Sequence, residues 1–232
     1  MGNCLTKDET NPPKRKRPEN KKLLAEVDSS LRQWVIEGSV EHEPPVIEQV
    51  TFDPAYRQNQ VELLDDNRTA LYVGKGYSTT LMKLPNGQTR ASSGFTRGRH
   101  AWSVRVDVSR CRSWMQIGVV TARRKNEGCP QIFDGKPHPF RADEIALRSD
   151  GNIVTGKRDV ADTRGSERGY DTGDIISVRL DMDNRTVQWL KNGKTFQAEP
   201  EFVLYADEVY PSVSLDNPKE QVSLLSYFGT AA

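Results

Sequence analysis

Apolar residues early in the chain follow the spacing of a helix. Leu24, Val27, Leu31 and Trp34 recur at steps of three and four residues, and Gly38 follows them. This spacing gathers the apolar side chains on one helix face, and glycine often ends a helix. The sequence therefore predicts a short amphipathic helix over residues 20–38. The apolar face of this helix is expected to pack either on lipid or, as is commoner for such a face, on the edge of its own domain.

After residue 45 the pattern changes to short strands separated by turn residues. Apolar and polar residues alternate from 102 to 108, which predicts a strand with Trp102, Val104, Val106 and Val108 facing inward. No further convincing helix follows. The pattern favours an all-β sandwich.

Two further stretches support that assignment. The apolar run 115–120 contains Gly118, as expected of a central strand with a closely packed neighbour. Residues 175–180 and 186–190 predict a hairpin, and an Asn192-Gly193 tight turn closes its second strand.

Composition narrows the functional classes. The 232 residues are 35% hydrophobic and 28% charged, which favours a thin core, and the net charge of +1 argues against nucleic acid as a partner. Three cysteines give no secreted disulfide framework. There is neither an apolar stretch long enough to span a membrane nor a signal-peptide core, so the domain is expected to face the cytosol.

The N-terminus carries an acylation motif. Met1-Gly2-Asn3-Cys4-Leu5-Thr6 fits removal of Met1, myristoylation of Gly2 and a hydroxyl residue at the preferred position. One myristoyl chain binds membrane with a constant of only about 10⁴ M⁻¹, so stable residence needs a second signal. Palmitoylation of Cys4 is one candidate.

A basic cluster is the other candidate for the second signal. Each cation near an anionic leaflet contributes about 1 kcal/mol. The first 22 residues hold seven cations and three acids, a net +4, which leaves −3 for residues 23–232. The run can also be interpreted as a nuclear localisation signal or a solvated linker. The cluster consists of Lys14, Arg15, Lys16, Arg17, Lys21 and Lys22.

Five ordered blocks across about residues 46–229 resemble a SPRY domain. They are residues 94–102 (GFTRGRHAW), 116–119 (QIGV), 173–176 (GDII), 181–193 (DMDNRTVQWLKNG) and 209–214 (VYPSVS). The resemblance implies a bent sandwich of two antiparallel sheets, preceded here by a disordered tail (residues 1–19) and the helix. It also implies a protein-interaction module that binds a peptide or folded partner through loops at one edge, without catalysis.

The blocks look most similar to the SPRY domains of SOCS-box proteins. Those domains bind a short Asp-Ile-Asn-Asn-Asn-like peptide through an Arg, a Pro, a Tyr and a Val-Trp pair. The corresponding positions fall near Tyr72, Val73 and Gly74, near Val154, and at Asp216 and Asn217, and every specificity residue differs. The edge geometry is therefore expected without that ligand, and no SOCS box follows.

Three loops are candidates for partner binding, since long loops often carry function and Arg and Tyr are favoured anchors. They are residues 72–77, 122–141 and 156–173. An alternative for the longest is a mobile surface insert. The candidate residues are Tyr72, Lys75, Tyr77, Arg123, Arg124, Phe133, Arg158, Arg168 and Tyr170.

Other chemistry has weak support. Gly74-Lys75-Gly76 lacks the full phosphate-loop pattern, and there is no Gly-x-Ser-x-Gly elbow or His-Glu-x-x-His pair. No Cys-x-x-Cys pair indicates a metal site. We therefore expect a non-enzymatic scaffold without cofactor or metal, held on the cytosolic face of a membrane and recruiting a protein. The alternatives are a soluble or nuclear adaptor and, less favoured, an unrecognised enzyme.

Overall fold

The computed structural model describes residues 19–38, 50–74, 87–110, 115–121, 144–155, 158–161, 169–196, 202–203 and 207–230. The predicted disordered tail lies outside the described residues, except for Glu19. The elements are α1 Glu19–Glu37, β1 Phe52–Arg57, β2 Val61–Leu64, β3 Thr69–Tyr72, β4 Gly87–Ala91, β5 Arg99–Val108, β6 Gln116–Thr121, β7 Glu144–Arg148, β8 Ile153–Thr155, β9 Arg158–Ala161, β10 Ile175–Asp181, β11 Thr186–Lys191, β12 Lys194–Thr195, β13 Phe202–Val203, β14 Val209–Leu215 and β15 Gln221–Gly229.

The strands form two antiparallel sheets. One has seven strands in the order β1-β4-β14-β6-β7-β8-β9. The other has eight, in the order β12-β11-β10-β5-β15-β3-β2, with β13 also paired to β11. The main core lies between the sheets and includes Phe52, Trp102, Ile117, Trp189 and Val213. The predicted all-β sandwich is confirmed.

The predicted hairpin and central strand are also present. Strands β10 and β11 pair from Ile176 with Lys191 to Asp181 with Thr186. Strand β6 lies between β14 and β7, and a β-carbon on Gly118 would stand 2.1 Å from the Ile145 carbonyl oxygen. The glycine permits this close approach of neighbouring backbone.

Helix α1 packs on the domain. Leu31 is fully buried, and Val27 and Val35 lie beside it against Ala101 and Phe228 of the sheet. The helix contacts β5, β10 and β15, which are central strands of the eight-stranded sheet. The expectation of packing at the sandwich edge is therefore wrong, because the helix covers the middle of a sheet face.

This covering explains a departure from the alternation in β5. Trp102, Val104 and Val106 face the core as predicted, but Ala101 and Ser103 on the opposite face are buried too. The outer side of the strand is shielded because α1 lies over it. Val108 is only half-buried, which corrects its assignment to the core.

The sandwich has two opposite ends. The Asn217 end comprises the 216–220 loop, the end of β3 and the start of β10, and here the Lys219 amide donates to the Tyr72 carbonyl oxygen over 3.0 Å. The Asp183 end comprises the 182–185 turn, the start of β5 and residues 207–208. There the Met182 amide donates to the Gly98 carbonyl oxygen over 2.9 Å.

Candidate functional site

The outer face of the seven-stranded sheet is polar and lined by small residues. On β14 the core receives Val209, Val213 and Leu215, so Tyr210, Ser212 and Ser214 point outward. The strand register then sets Arg90, Ser212, Gly118, Ala146 and Val154 side by side across β4, β14, β6, β7 and β8. Small side chains form the middle of this row, and Ser212, Gly118 and Ala146 are all buried.

Arg90 stands at one end of the row between two aromatic rings. Its guanidinium carbon lies 3.3 Å from the ring centre of Tyr56 and 3.7 Å from that of Tyr210. We call these three residues the Arg90 clamp. Stacking of this kind fixes the plane of a guanidinium and directs its N–H groups outward along its edge.

No described residue accepts a hydrogen bond from the clamped guanidinium. Arg90 is 9% exposed, its Nε is buried without a hydrogen-bond partner, and it makes no ion pair within the described part of the chain. Two neighbouring polar atoms, Gln88 Nε2 and Ser212 Oγ, are likewise buried without a described partner. Since buried polar groups are normally satisfied, this cluster of donors favours an acceptor supplied from outside.

The tyrosines are held by local structure. The Tyr210 hydroxyl donates to Glu208 Oε1 over 2.9 Å, and burial followed by the Glu208 carboxylate raises the pKa of this phenol above its ordinary value. Tyr56 follows an irregularity in β1, where the Asp53 carboxylate accepts the Ala55 amide over 2.8 Å. The Tyr210 phenol therefore stays protonated near neutral pH and keeps its bond to Glu208.

A buried carboxylate faces the same surface. Ser214 Oγ donates to Glu144 Oε1 over 3.5 Å, and both residues are buried on the outer side of their strands. The face therefore carries a cationic group on β4 and an anionic group on β7. Such an arrangement suits a ligand with an acidic group at one point and hydrogen-bond donors at another.

The described residues form neither a metal site nor a membrane-spanning helix. No group of three or more His, Cys, Asp or Glu side chains in the described ranges is placed to hold a metal ion. No described helix is long and apolar enough to cross a membrane. His100 is buried in the core, with Nδ1 2.8 Å from the Tyr227 hydroxyl and Nε2 2.7 Å from the Arg97 carbonyl oxygen. It is thereby committed to structural contacts.

The sequence profile of the SPRY domain matches residues 99–227. The chain belongs to the SPRY domain family. SPRY domains are typically protein-interaction modules rather than enzymes, so this chain carries an interaction module.

Solved structures share the fold. The SPRY domain of human HERC1 is 23% identical with a TM-score of 0.52, over 75% of this chain and 97% of that one. The PSpry domain of TRIM65 is 14% identical with a TM-score of 0.54, over 93% and 98%. Stonustoxin is 16% identical with a TM-score of 0.51, over 77% of this chain and 27% of its own. Among curated proteins, none matches in sequence.

Two predicted anchors are core residues of the SPRY domain, which corrects their assignment to a contact surface. The Tyr170 ring is buried, and its hydroxyl donates to the carbonyl oxygens of Met115 and Leu147 over 2.9 and 3.2 Å. Tyr72 is buried with its ring against Gly87. Both rings fill space inside the sandwich instead of offering area to a partner.

The positions matched to SOCS-box specificity residues lie apart. Val154 belongs to the outer row described above but is buried. Asp216 is also buried, and its amide and that of Asn217 donate to Glu220 Oε2 over 2.8 and 3.0 Å. Glu220 thereby fixes the loop at the Asn217 end, and only Asn217 of this pair keeps partial exposure.

The three candidate loops do not share one edge. Residues 75–86 connect Gly74 to Gly87, and residues 162–168 connect Ala161 to Gly169; all four flanks lie towards the Asn217 end. Thr121 and Glu144, which flank residues 122–143, both lie at the Asp183 end. The expectation of a single loop edge is therefore corrected. Outside the described residues lie Gly2, Cys4, Lys14, Arg15, Lys16, Arg17, Lys75, Tyr77, Arg123, Arg124, Phe133, Arg168 and the side chain of Arg158.

The sequence did not single out the Arg90 clamp. Its members come from β1, β4 and β14, and only the tertiary fold brings them together. The alternation of Gln88 and Arg90 with Gly87, Thr89 and Ala91 is a weak signal of an outward-facing polar row.

Proposed function

We propose that this protein is a membrane-anchored SPRY module that recruits a protein partner with an acidic side chain to the cytosolic face of a membrane. The observation that carries the partner class is the Arg90 guanidinium, which is held between two rings with no described acceptor. A carboxylate is the complementary group, because it accepts two parallel hydrogen bonds from one guanidinium.

The energetics favour such a contact. Arg90 is already largely withdrawn from water and its plane is fixed, so binding incurs little further desolvation or ordering of this side chain. Hydrogen bonds to charged groups contribute about 1.5–3 kcal/mol. Gln88 and Ser212 lie next to Arg90 in the register and supply further donors. An acidic side chain placed against Arg90 would meet all three donors.

Substitutions at Arg90 test the partner class. Proximity labelling with the full-length chain should lose the same partners in Arg90→Lys and Arg90→Gln, because lysine keeps the charge but cannot form the paired contact. Arg97→Gln, at an exposed arginine, is the matched control. Urea unfolding of each variant separates lost binding from lost folding. A partner set that Arg90→Gln leaves unchanged contradicts the proposal.

Anchoring is proposed from the N-terminal motif. Myristate on Gly2 supplies weak affinity, and palmitate on Cys4 with the cluster Lys14 to Arg17, Lys21 and Lys22 supplies the second signal. Lys21 and Lys22 are exposed in the first turn of α1, where a leaflet can reach them. This part is independent of the Arg90 clamp.

Fractionation and imaging test the anchor. Gly2→Ala should move the protein from membrane to soluble fractions, and Cys4→Ser should shorten its residence there. An intact chain that gathers in the nucleus would instead favour a soluble adaptor that uses the basic run as a localisation signal. Gly2→Ala that stays fully membrane-bound would refute myristoyl anchoring.

A further inference from the structure

The N-terminal half of α1 lies at the Asn217 end of the sandwich. Val27 is beside Gly193, in the turn that adjoins the start of β10, with its methyl 3.4 Å from where a β-carbon of Gly193 would stand. At the other end of the helix, Arg99 Nη1 donates to the Trp34 carbonyl oxygen over 3.3 Å. The helix therefore points its N-terminus, and the attachment point of the tail, towards the Asn217 end.

Exposed cations collect at this end. Lys21, Lys22, Arg110, Lys194 and Lys219 are exposed there. Within the described ranges Lys21, Arg110 and Lys219 have no ion-pair partner, and Lys22 has only an exposed contact of 3.8 Å with Glu26. These charges are free to meet an external anionic surface.

Several acids at the same end are engaged within the domain. Asp174 accepts Asn192 Nδ2 over 2.9 Å and lies 3.5 Å from Lys191 Nζ. Asp107 accepts Ser223 Oγ and Arg105 Nε. Glu220 is fully buried. Their negative charge is thus partly neutralised or withdrawn from the surface.

The opposite direction is acidic. Exposed acids there are at the end of α1, in the β2–β3 turn, in the β10–β11 turn and before β14: Glu37, Asp65, Asp66, Asp183 and Asp207. The exposed described cations in this direction are Arg32, Arg97 and Arg185, and Arg185 forms an ion pair with Asp207 over 3.7 Å. Two exposed acids, Glu26 and Glu62, lie towards the Asn217 end, where the exposed cations outnumber them. The described domain is therefore electrically polarised along its length, although the whole chain carries only +1.

An exposed apolar side chain lies within the cationic end. Val73 is 50% exposed, the largest exposure of a large hydrophobic residue in the described part of the chain. It directly follows Tyr72, whose carbonyl oxygen accepts the Lys219 amide. Cations around an exposed apolar residue are the composition expected of a surface that touches lipid headgroups.

We infer that the Asn217 end of the folded domain is itself a docking surface for an anionic bilayer. This inference rests on the proposed anchoring, since one acyl chain supplies the affinity to which the surface adds. Docking this way orients the Asp183 end towards the cytosol. The Arg90 clamp, whose Tyr210 lies towards the Asp183 end of β14, then stays open to a partner.

Charge reversal at the two ends tests the orientation. The full-length myristoylated chain is titrated with phosphatidylcholine vesicles containing about one-third phosphatidylserine. The test variant is Arg110→Glu with Lys219→Glu, and the control is Arg97→Glu with Arg185→Glu. The pairs change net charge equally, and each contains one residue with positive φ, Lys219 at 69° and Arg185 at 56°.

The expected result is an asymmetry. Each cation lost near the surface weakens binding about fivefold, so the test pair, which loses two, should bind at least about 25-fold more weakly. The control pair should lose less than about threefold, because it lies roughly 30 Å away along β5, beyond the screening length. On pure phosphatidylcholine vesicles all three proteins should bind alike.

The failures are distinguishable. If Gly2→Ala binds vesicles as well as the myristoylated chain, the proposed anchor is wrong. If binding needs myristate but both pairs weaken it equally, the anchor stands and the orientation is wrong. A variant with Arg123→Glu and Arg124→Glu, in the loop joined to the Asp183 end, that loses more affinity than the test pair would also overturn the orientation.

Discussion

Replacing Leu31 with alanine tests how firmly α1 belongs to the domain. Leu31 is fully buried between the helix and the sheet, with Ala101 and Phe228 among its neighbours. A Leu→Ala change at a buried site lowers the free energy of unfolding by about 2–5 kcal/mol, depending on how far the site collapses.

The structure sets the expected loss in the middle of that range. The helix is tied on both sides of Leu31, because Arg179 Nη2 donates to Ser30 Oγ over 3.0 Å and Arg99 Nη1 donates to the Trp34 carbonyl oxygen. The sheet beneath offers Ala101, which is too short to fill the void. We therefore expect a loss of about 3–4 kcal/mol.

Urea unfolding of the full-length chain measures this loss, and a thermal melt should fall by about 6–15 °C. Arg32→Ala, at the exposed neighbouring position, is the control and should change the free energy of unfolding by less than about 0.5 kcal/mol. A Leu31→Ala loss below about 1 kcal/mol would refute a docked helix. A separate early transition for the helix would show that it docks without cooperating with the sandwich.

Three further substitutions have defined outcomes. Burial raises the pKa of Asp28 more than the hydrogen bond from Ser226 lowers it, so the stability that the protonated carboxyl contributes is lost as pH rises through the raised pKa. Asp28→Asn should therefore raise the free energy of unfolding at pH 7 by less than about 1 kcal/mol, measured by urea unfolding. Burial lowers the pKa of His100 below 6.5, so the free energy of unfolding should fall as pH drops below that value. In thermal melts at a series of pH values, the midpoint of His100→Gln should fall less steeply than that of the unchanged chain. Gly118→Ala should lower the free energy of unfolding by at least about 2 kcal/mol, since the new methyl meets the Ile145 carbonyl oxygen. An unchanged urea midpoint would contradict the close approach of the strands.

The sequence alone determined the elements whose signal is local. The three- and four-residue spacing around Leu31 fixed a helix, and alternation around Val104 fixed a strand, because each pattern records which side of a single element is buried. The hairpin before Asn192 was predictable for the same reason. Five spaced blocks indicated the SPRY fold, and residues 1–6 alone carry the acylation motif.

Only the tertiary structure decided which distant residues meet. Tyr170 is of a residue type favoured as an interface anchor, yet the fold buries it, and its hydroxyl donates to two backbone carbonyl oxygens. Arg90 has no distinctive neighbours in sequence, yet strands β1 and β14 bring Tyr56 and Tyr210 to its two faces. The polarised ends arise in the same way, because register and loop connections, rather than local pattern, determine where separate charges lie. Physically, local sequence sets which face of an element is apolar, whereas pairing between elements sets what that face and its polar opposite contact.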